Sequence, residues 1–153
     1  MLHLARKKAA KEVARKASAK KPSPKPRPSR KRTFKTAWFS KAARKAGITD
    51  AELCEAIQEA VKGQCSDLGG SVFKKRLKRN EYRSIILAKG GGHWFSVYLF
   101  AKSDRENIEP DELDEFRRLA KIYGQKTDRE ISKLLKEDEL IEICHENQAE
   151  IQN

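Results

Sequence analysis

The fold of this chain is decided by residues 71–90, which read SVFKKRLKRNEYRSIILAKG. Their β-branched and aromatic side chains suit a pleated, half-buried surface, and the polar residues in the middle provide a turn. The stretch therefore predicts two paired strands, 72–78 and 82–89. Because successive side chains of a strand point to opposite faces, one face of the first strand carries a row of cations. These are Lys74, Arg76 and Lys78.

The sequence on either side predicts the other elements of a single domain. HWFSVYLFAK, residues 93–102, is apolar on both faces and predicts a third strand of a meander, while TFKTAWF, residues 33–39, predicts a short first strand. LIEI, residues 140–143, either adds an edge strand or simply packs. Helices are predicted for 40–47, 49–63, 110–124 and 127–137. The order β-α-α-β-β-β-α-α predicts an α+β fold, with helices on one face of a small antiparallel sheet of about four strands.

Capping signals support the helices. In TDAELCEAIQEAVKG, residues 49–63, Thr49 and Glu52 have the spacing of a capping box, and Gly63 ends the apolar pattern. Gly47 closes the preceding helix and Pro110 opens the third. The segment CSDLGG, residues 65–70, predicts a turn.

The net charge of +12 is concentrated at the N-terminus. Residues 1–32 hold 13 Lys and Arg and one acid, whereas the remainder of the chain is balanced. This composition predicts a disordered basic tail at 1–32, a domain at 33–145 and a short C-terminal tail at 146–153. The basic tail either aids solubility or captures RNA, DNA or the ribosome electrostatically. Its lack of acids also resembles an organelle transit segment.

Membrane and disulfide classes are not favoured by the sequence. No apolar run is long enough to span a bilayer, and the N-terminus lacks the apolar centre of a secretory signal. The three cysteines, Cys54, Cys65 and Cys144, are odd in number and show no CxxC spacing, which predicts free thiols in a reducing compartment. We therefore expect a cytoplasmic protein without a membrane partner.

The cationic strand face has two interpretations from charge alone. Three cations about 7 Å apart along a strand match successive phosphates of a nucleic acid. Solvated sheet faces, however, also carry lysine and arginine, which prevent strands from aggregating. Arg83, Lys102 and Arg105 are placed by the predicted meander near the same rim. The cationic strand face therefore either binds phosphate or keeps the sheet soluble.

Four segments carry a resemblance to a known family. They are TFKTAWFSKAARKAGITDAELCEAI, DLGGSVFKKRLKR, YRSIILAKGGGHWFSVYLFAKSDRENI and DELDEFRRLAKIYG. Together they resemble the RelE/ParE superfamily of toxins, and most closely the HigB-like branch of type II toxin–antitoxin systems. The resemblance covers about residues 33–143. Its specific parts are LGGxxxKxR and FAKSxRxNI.

The resemblance implies an activity and a set of site residues. RelE-type toxins are endoribonucleases that cut messenger RNA in the ribosomal A site, without a metal or another cofactor, by attack of a 2′-hydroxyl on the adjacent phosphate. Carried over by position, the implied catalytic residues are Lys74, Arg76, Arg83 and Lys102. We favour Lys74 as general base or phosphate contact and Arg76 as the clamp on the transition state. From their positive charge near the same strands, we predict Lys78, Arg79, Lys89 and Arg105 as RNA-binding residues.

The implied partners are messenger RNA, the ribosome and a cognate antitoxin, usually of the helix-turn-helix type in this branch. Two other functions stay open. The first is a ParE-like inhibitor of DNA gyrase, which shares the fold and does not cleave RNA. The second is a non-enzymatic basic protein that binds RNA or the ribosome.

Overall fold

A computed structural model of the chain describes residues 31–88 and 92–145. Within these residues it has six strands and four helices. The strands are β1 Thr33–Thr36, β2 Ser66–Gly69, β3 Val72–Leu77, β4 Tyr82–Ala88, β5 Trp94–Ala101 and β6 Leu140–Ile143. The helices are α1 Ala37–Ala46, α2 Asp50–Val61, α3 Pro110–Gly124 and α4 Asp128–Lys136. The tails at 1–30 and 146–153 lie outside the described residues.

Local capping sets the helix ends. Helix α2 begins at the predicted capping box, where the Thr49 hydroxyl accepts from the Glu52 N–H at 3.2 Å and the Glu52 carboxylate accepts from the Thr49 N–H at 3.0 Å. Helix α1 begins earlier than predicted, because the Thr36 hydroxyl accepts from the Phe39 N–H at 3.1 Å. Strand β1 therefore ends at Thr36. The aromatic residues Trp38 and Phe39 belong to the helix.

The sheet is mixed, with the strand order β2-β3-β4-β5-β1-β6. Strands β3, β4 and β5 form the predicted antiparallel meander, but β1 pairs in parallel with β5, and β6 pairs antiparallel with β1. The predicted turn at 65–70 contains β2, which pairs with β3. Gly69 and Gly70, with φ of +84° and +65°, supply the left-handed backbone of that tight connection.

Helices pack on both faces of the sheet. Helices α1 and α2 cover the face that carries Leu77 and Leu99, and α3 and α4 cover the face that carries Val72 and Ile85. Both faces need covering, because β4 and β5 are apolar on each side. The predicted α+β class is confirmed. Three details differ from the prediction. The sheet has six strands instead of about four, it is mixed instead of antiparallel, and helices cover two faces instead of one.

Two further features bear on earlier expectations. None of the four helices in the described ranges has the length and apolar content needed to cross a membrane. Cys54 of α2 and Cys144, directly after β6, form a disulfide. The prediction of three free thiols is therefore wrong for this pair, because the pairing of β6 with β1 brings the end of the domain to α2. Cys65 is a free thiol whose pKa is raised by burial.

Candidate active site

Three of the predicted catalytic residues share one end of one sheet face. Arg76 of β3 lies directly opposite Arg83 of β4, and Lys74 lies opposite Ile85. Directly opposite residues of antiparallel strands project to the same face with Cβ atoms about 4.5–5.5 Å apart. Lys74 lies about 7 Å from Arg76 along β3. We call Lys74, Arg76 and Arg83 the cationic cluster.

The cationic cluster lies beyond the part of this face that α3 covers. Val72, at the start of β3, is fully buried against Phe116 and Leu119 of α3. Arg76, near the other end of the strand, is exposed. In the part of the chain that the structure describes, its guanidinium has no hydrogen-bond or ion-pair partner. The outer end of the face is thus open to a ligand.

Arg83 forms the fixed floor of the cationic cluster. Its side chain is buried, with 7% of the residue exposed, and Nη1 donates to the backbone carbonyls of Asn80 at 2.9 Å and Tyr82 at 3.1 Å. A guanidinium has five N–H donors, so these two bonds leave others for an anion. Phe100 of β5 lies opposite Arg83 on the other side. Arg83 therefore stands between an exposed arginine and an aromatic ring.

Lys74 is held by a residue that the sequence reasoning did not select. Its Nζ lies 3.4 Å from Oδ1 of Asn107, and the same oxygen accepts from the Ile108 N–H at 3.0 Å. Asn107 lies in the loop that connects β5 to α3, within the motif FAKSxRxNI. That motif was the available signal, since its asparagine stands close in sequence to the predicted Lys102 and Arg105.

Arg105 borders the cationic cluster as part of a buried ion pair. Its Nη2 lies 2.7 Å from Oε1 of Glu112 and its Nη1 3.2 Å from Oε2, and Glu112 is 1% exposed. The guanidinium carbon lies 5.4 Å from the centre of the Phe100 ring. Glu112 neutralises Arg105, so this arginine contributes a rigid planar surface more than net charge. By its place in the sequence Glu112 is an acid in the first turn of α3, and only the structure shows its ion pair with Arg105.

Lys102 lies at the same end of the sheet. Its backbone N–H donates to the Glu81 carbonyl at 2.8 Å, which ties the end of β5 to the β3–β4 turn. Its side chain is exposed and lines a pocket of about 500 Å³ together with Arg79. The described residues offer the Lys102 ammonium no ion-pair partner. Lys102 and Arg79 therefore extend positive charge around the turn from the cationic cluster.

Two predicted residues do not join this surface. Lys78 leaves the predicted row because the strand ends at Leu77 and the chain turns with a φ of +48°. Its Nζ donates to the carbonyl of Ala46 at 2.8 Å and so caps the C-terminus of α1. Lys89 lies outside the described residues. Of the remaining predicted RNA-binding residues, Arg79 lies in the turn between β3 and β4 and Arg105 in the loop after β5.

The arrangement is suited to binding a phosphate group. Planar guanidinium groups donate paired hydrogen bonds to phosphate oxygens, and a lysine adds a mobile charge. Preorganised cations of this kind stabilise negative charge that develops on phosphoryl oxygens. Across residues 31–88 and 92–145, no group of three or more His, Cys, Asp or Glu side chains is placed to hold a metal ion.

Comparison with known proteins gives the family. Residues 31–143 match the family model described as the RelE toxin of the RelE/RelB toxin–antitoxin system. Because the match covers well over half of the chain, the protein belongs to the RelE toxin family. It is a type II toxin of a toxin–antitoxin system, and toxins of this family pair with an antitoxin. No curated protein and no solved structure shows significant similarity to the chain.

Proposed function

We propose that this RelE-family toxin is a metal-independent endoribonuclease that cuts messenger RNA on the ribosome in the cytoplasm. Within the family we place it in the HigB-like branch, on the motifs LGGxxxKxR and FAKSxRxNI. The observation that carries the proposal is the pairing of Arg76 with Arg83 at an open end of the sheet. Like charges directly opposite each other destabilise a sheet. A bound phosphate would offset that repulsion.

The proposed reaction breaks one phosphodiester. The 2′-oxygen of the substrate forms a bond to the adjacent phosphorus while the bond from phosphorus to the 5′-oxygen breaks. The 2′-hydroxyl gives up its proton to a base, and the leaving 5′-oxygen receives one. Arg76 and Arg83 would grip the non-bridging oxygens, whose charge increases in the transition state. Lys102 would approach from the end of β5.

Lys74 has two candidate roles, which make different predictions. As a phosphate contact, it acts through its charge, and Lys74→Arg would retain most activity. As the general base, it must first lose its proton, and an arginine cannot do this in a protein. Lys74→Arg would then abolish cleavage at every pH. Measuring the cleavage rate of this variant across pH distinguishes a contact from a base.

Primer extension on message from cells that express the protein tests the proposal. We expect discrete cuts within translated codons, and their loss in Arg76→Ala and Arg83→Ala. Arg129→Ala is the matched control, because Arg129 is exposed on α4 and this substitution removes the same charge at a distant position. Cuts that persist in both site variants would contradict the proposal.

The same experiment separates the other two functions. DNA damage without cuts in the message would indicate a ParE-like gyrase inhibitor. Neither effect would indicate a basic protein that binds RNA or the ribosome without chemistry. The grouping of Lys74, Arg76 and Arg83 at one end of a sheet face favours the nuclease, because a gyrase inhibitor acts through a protein surface and needs no phosphate grip.

The proposal implies two partners, an antitoxin and ribosomal RNA. A cognate antitoxin, of the helix-turn-helix type usual in the branch, would cover or distort the cationic cluster and so block the substrate. The basic segment 1–32 would raise residence on ribosomal RNA without taking part in chemistry. If a chain lacking 1–32 binds ribosomes as tightly as the full chain at both low and physiological salt, that role of the segment is wrong.

A further inference from the structure

An aromatic pocket opens beside the candidate active site, where a strand of the sheet ends early. Strand β1 pairs with β5 only at Trp94, Phe95 and Ser96, and then the chain turns into α1. Along the edge of β5 that β1 would otherwise cover, the last residues of β5 therefore lie beside helix α1. A pocket of about 320 Å³ lies between them, within the range of roughly 300–1,000 Å³ typical of small-molecule sites. We call it the Trp38 pocket.

Four aromatic residues line the Trp38 pocket, together with aliphatic residues of α1 and β5. Trp38 of α1 is partly exposed, and its ring lies 5.0 Å from that of Tyr98. The Tyr98 ring in turn lies 5.7 Å from Phe100, and Tyr82 adds a further ring to the lining. Tyr98 and Phe100 are buried, so Trp38 and Tyr82 are the rings that reach solvent. Aromatic faces that reach solvent are the usual platforms on which unpaired nucleobases stack.

The rim of the Trp38 pocket is polar. Lys45 contributes a cation that suits the backbone of a nucleic acid, and Asp104 contributes a carboxylate that can accept from an exocyclic amine of a base. Arg105, already paired with Glu112, adds a planar guanidinium to the rim. An aromatic ring with a polar rim matches a nucleobase better than an aliphatic side chain, which has no polar group to offer Lys45 and Asp104.

The Trp38 pocket adjoins the cationic cluster at one cross-strand pair. Phe100 lines the pocket and also lies directly opposite Arg83. Adjacent strands are about 4.8 Å apart, so the pocket begins one strand away from Arg83 and two strands away from Arg76. One nucleotide can span this distance with its phosphate on the arginines and its base beside Trp38.

We propose that the Trp38 pocket binds the nucleobase next to the phosphate held by Arg76 and Arg83. The inference rests on the proposed function, and it adds a subsite that would influence where the message is cut. Purines are expected to bind more tightly than pyrimidines, because their larger rings stack over more of the aromatic wall.

Tryptophan fluorescence tests the pocket directly. The chain has two tryptophans, so Trp94→Phe leaves Trp38 as its sole indole. The probes are a single-stranded ten-nucleotide deoxyadenylate, which lacks the 2′-hydroxyl and is not cleaved, and an abasic strand of the same length. We expect the deoxyadenylate to quench the fluorescence of Trp38 and the abasic strand to leave it unchanged. Equal quenching by both strands, or by neither, overturns the pocket.

Binding measurements provide a second, independent readout. Stacking on an aromatic side chain contributes an amount equivalent to about 5- to 150-fold in affinity per base. Trp38→Leu should reduce the ratio of deoxyadenylate to abasic affinity by this factor, and Trp38→Phe by less. Arg76→Gln should weaken both strands alike and leave the ratio unchanged. Comparing the two strands removes the contribution of the basic segment 1–32, which binds phosphates in both.

The outcomes separate this inference from the function on which it rests. If the deoxyadenylate quenches Trp38 but the protein does not cut message, the proposed nuclease activity is wrong and nucleobase binding in the Trp38 pocket is supported. If the protein cuts message but the deoxyadenylate does not quench Trp38, nucleobase binding in the Trp38 pocket is wrong and the proposed nuclease activity is supported. Unfolding midpoints of the Trp38 variants are measured first, because Trp38 also packs against the core.

Discussion

The pairing of Arg76 with Arg83 predicts that one substitution acts in opposite directions on stability and activity. The change is Arg76→Gln, which removes one charge and keeps a polar side chain of similar length. Arg76 is exposed and opposes a buried arginine, so the charge of Arg76 raises the free energy of the folded protein. We expect the variant to be more stable than the parent and almost inactive.

The magnitude of the stability gain follows from Coulomb's law. Two unit charges about 6 Å apart repel by about 0.7 kcal/mol in water, and measured cross-strand pairs range over about 0.2–1 kcal/mol. The free energy of unfolding should therefore rise by about 0.5 kcal/mol. The gain should shrink at high salt, because the Debye length falls from about 10 Å at 0.1 M to about 3 Å at 1 M.

The magnitude of the activity loss follows from the charge that develops on the phosphate. Removing one preorganised donor from such a site typically lowers kcat by about 10²–10³-fold. Urea denaturation at low and high salt gives the change in stability, and the rate of message cleavage in a translation extract gives the change in activity. Arg129→Gln, on the exposed surface of α4, is the control and should change neither quantity.

Two results would refute this reasoning. If Arg76→Gln lowers the free energy of unfolding, Arg76 has a structural role and the repulsion is compensated within the protein. If the variant cleaves message at the parent rate, the cationic cluster does not hold the reacting phosphate.

Three further predictions concern stability. Reduction of the Cys54–Cys144 disulfide opens a link across 90 residues of sequence and should lower the free energy of unfolding by up to about 4–5 kcal/mol, measured in urea with and without reductant; equal midpoints would contradict it. His93 has a pKa lowered chiefly by burial, so the unfolded chain binds its proton more readily and stability should fall as pH drops below about 6.5; His93→Gln should flatten this dependence, and an unchanged slope would count against it. Glu112→Gln should cost about 3 kcal/mol by leaving Arg105 without its buried carboxylate, and a loss below about 1 kcal/mol in urea denaturation would show that the ion pair is dispensable.

The site was predictable from the sequence where it depends on strand alternation. Lys74, Arg76 and Arg83 share a face because they lie within one hairpin whose register follows from a short turn. Lys78 does not follow the alternation, because β3 ends at Leu77 and the Lys78 ammonium caps α1. Nothing near Lys78 in the sequence indicates either feature. The motif FAKSxRxNI places Asn107 close in sequence to Lys102 and Arg105, but its contact with Lys74 is visible only in the structure.

What the sequence alone determined is the set of features that depend on near neighbours along the chain. The capping box of Thr49, the proline that opens α3, the meander of β3 to β5 and the location of positive charge all belong to this class. Each follows from hydrogen bonds or side-chain periodicity between residues no more than about twenty apart in the chain.

What only the tertiary structure decided depends on residues far apart in the chain. The parallel pairing of β1 with β5, the disulfide between α2 and the end of β6, and the Trp38 pocket beside the cationic cluster all belong to this second class. Their partners are separated by roughly 40 to 90 residues, and no local pattern of charge or hydrophobicity specifies which distant surface a side chain will meet. Packing of the whole domain makes that choice, because burial of apolar surface is collective and not directional.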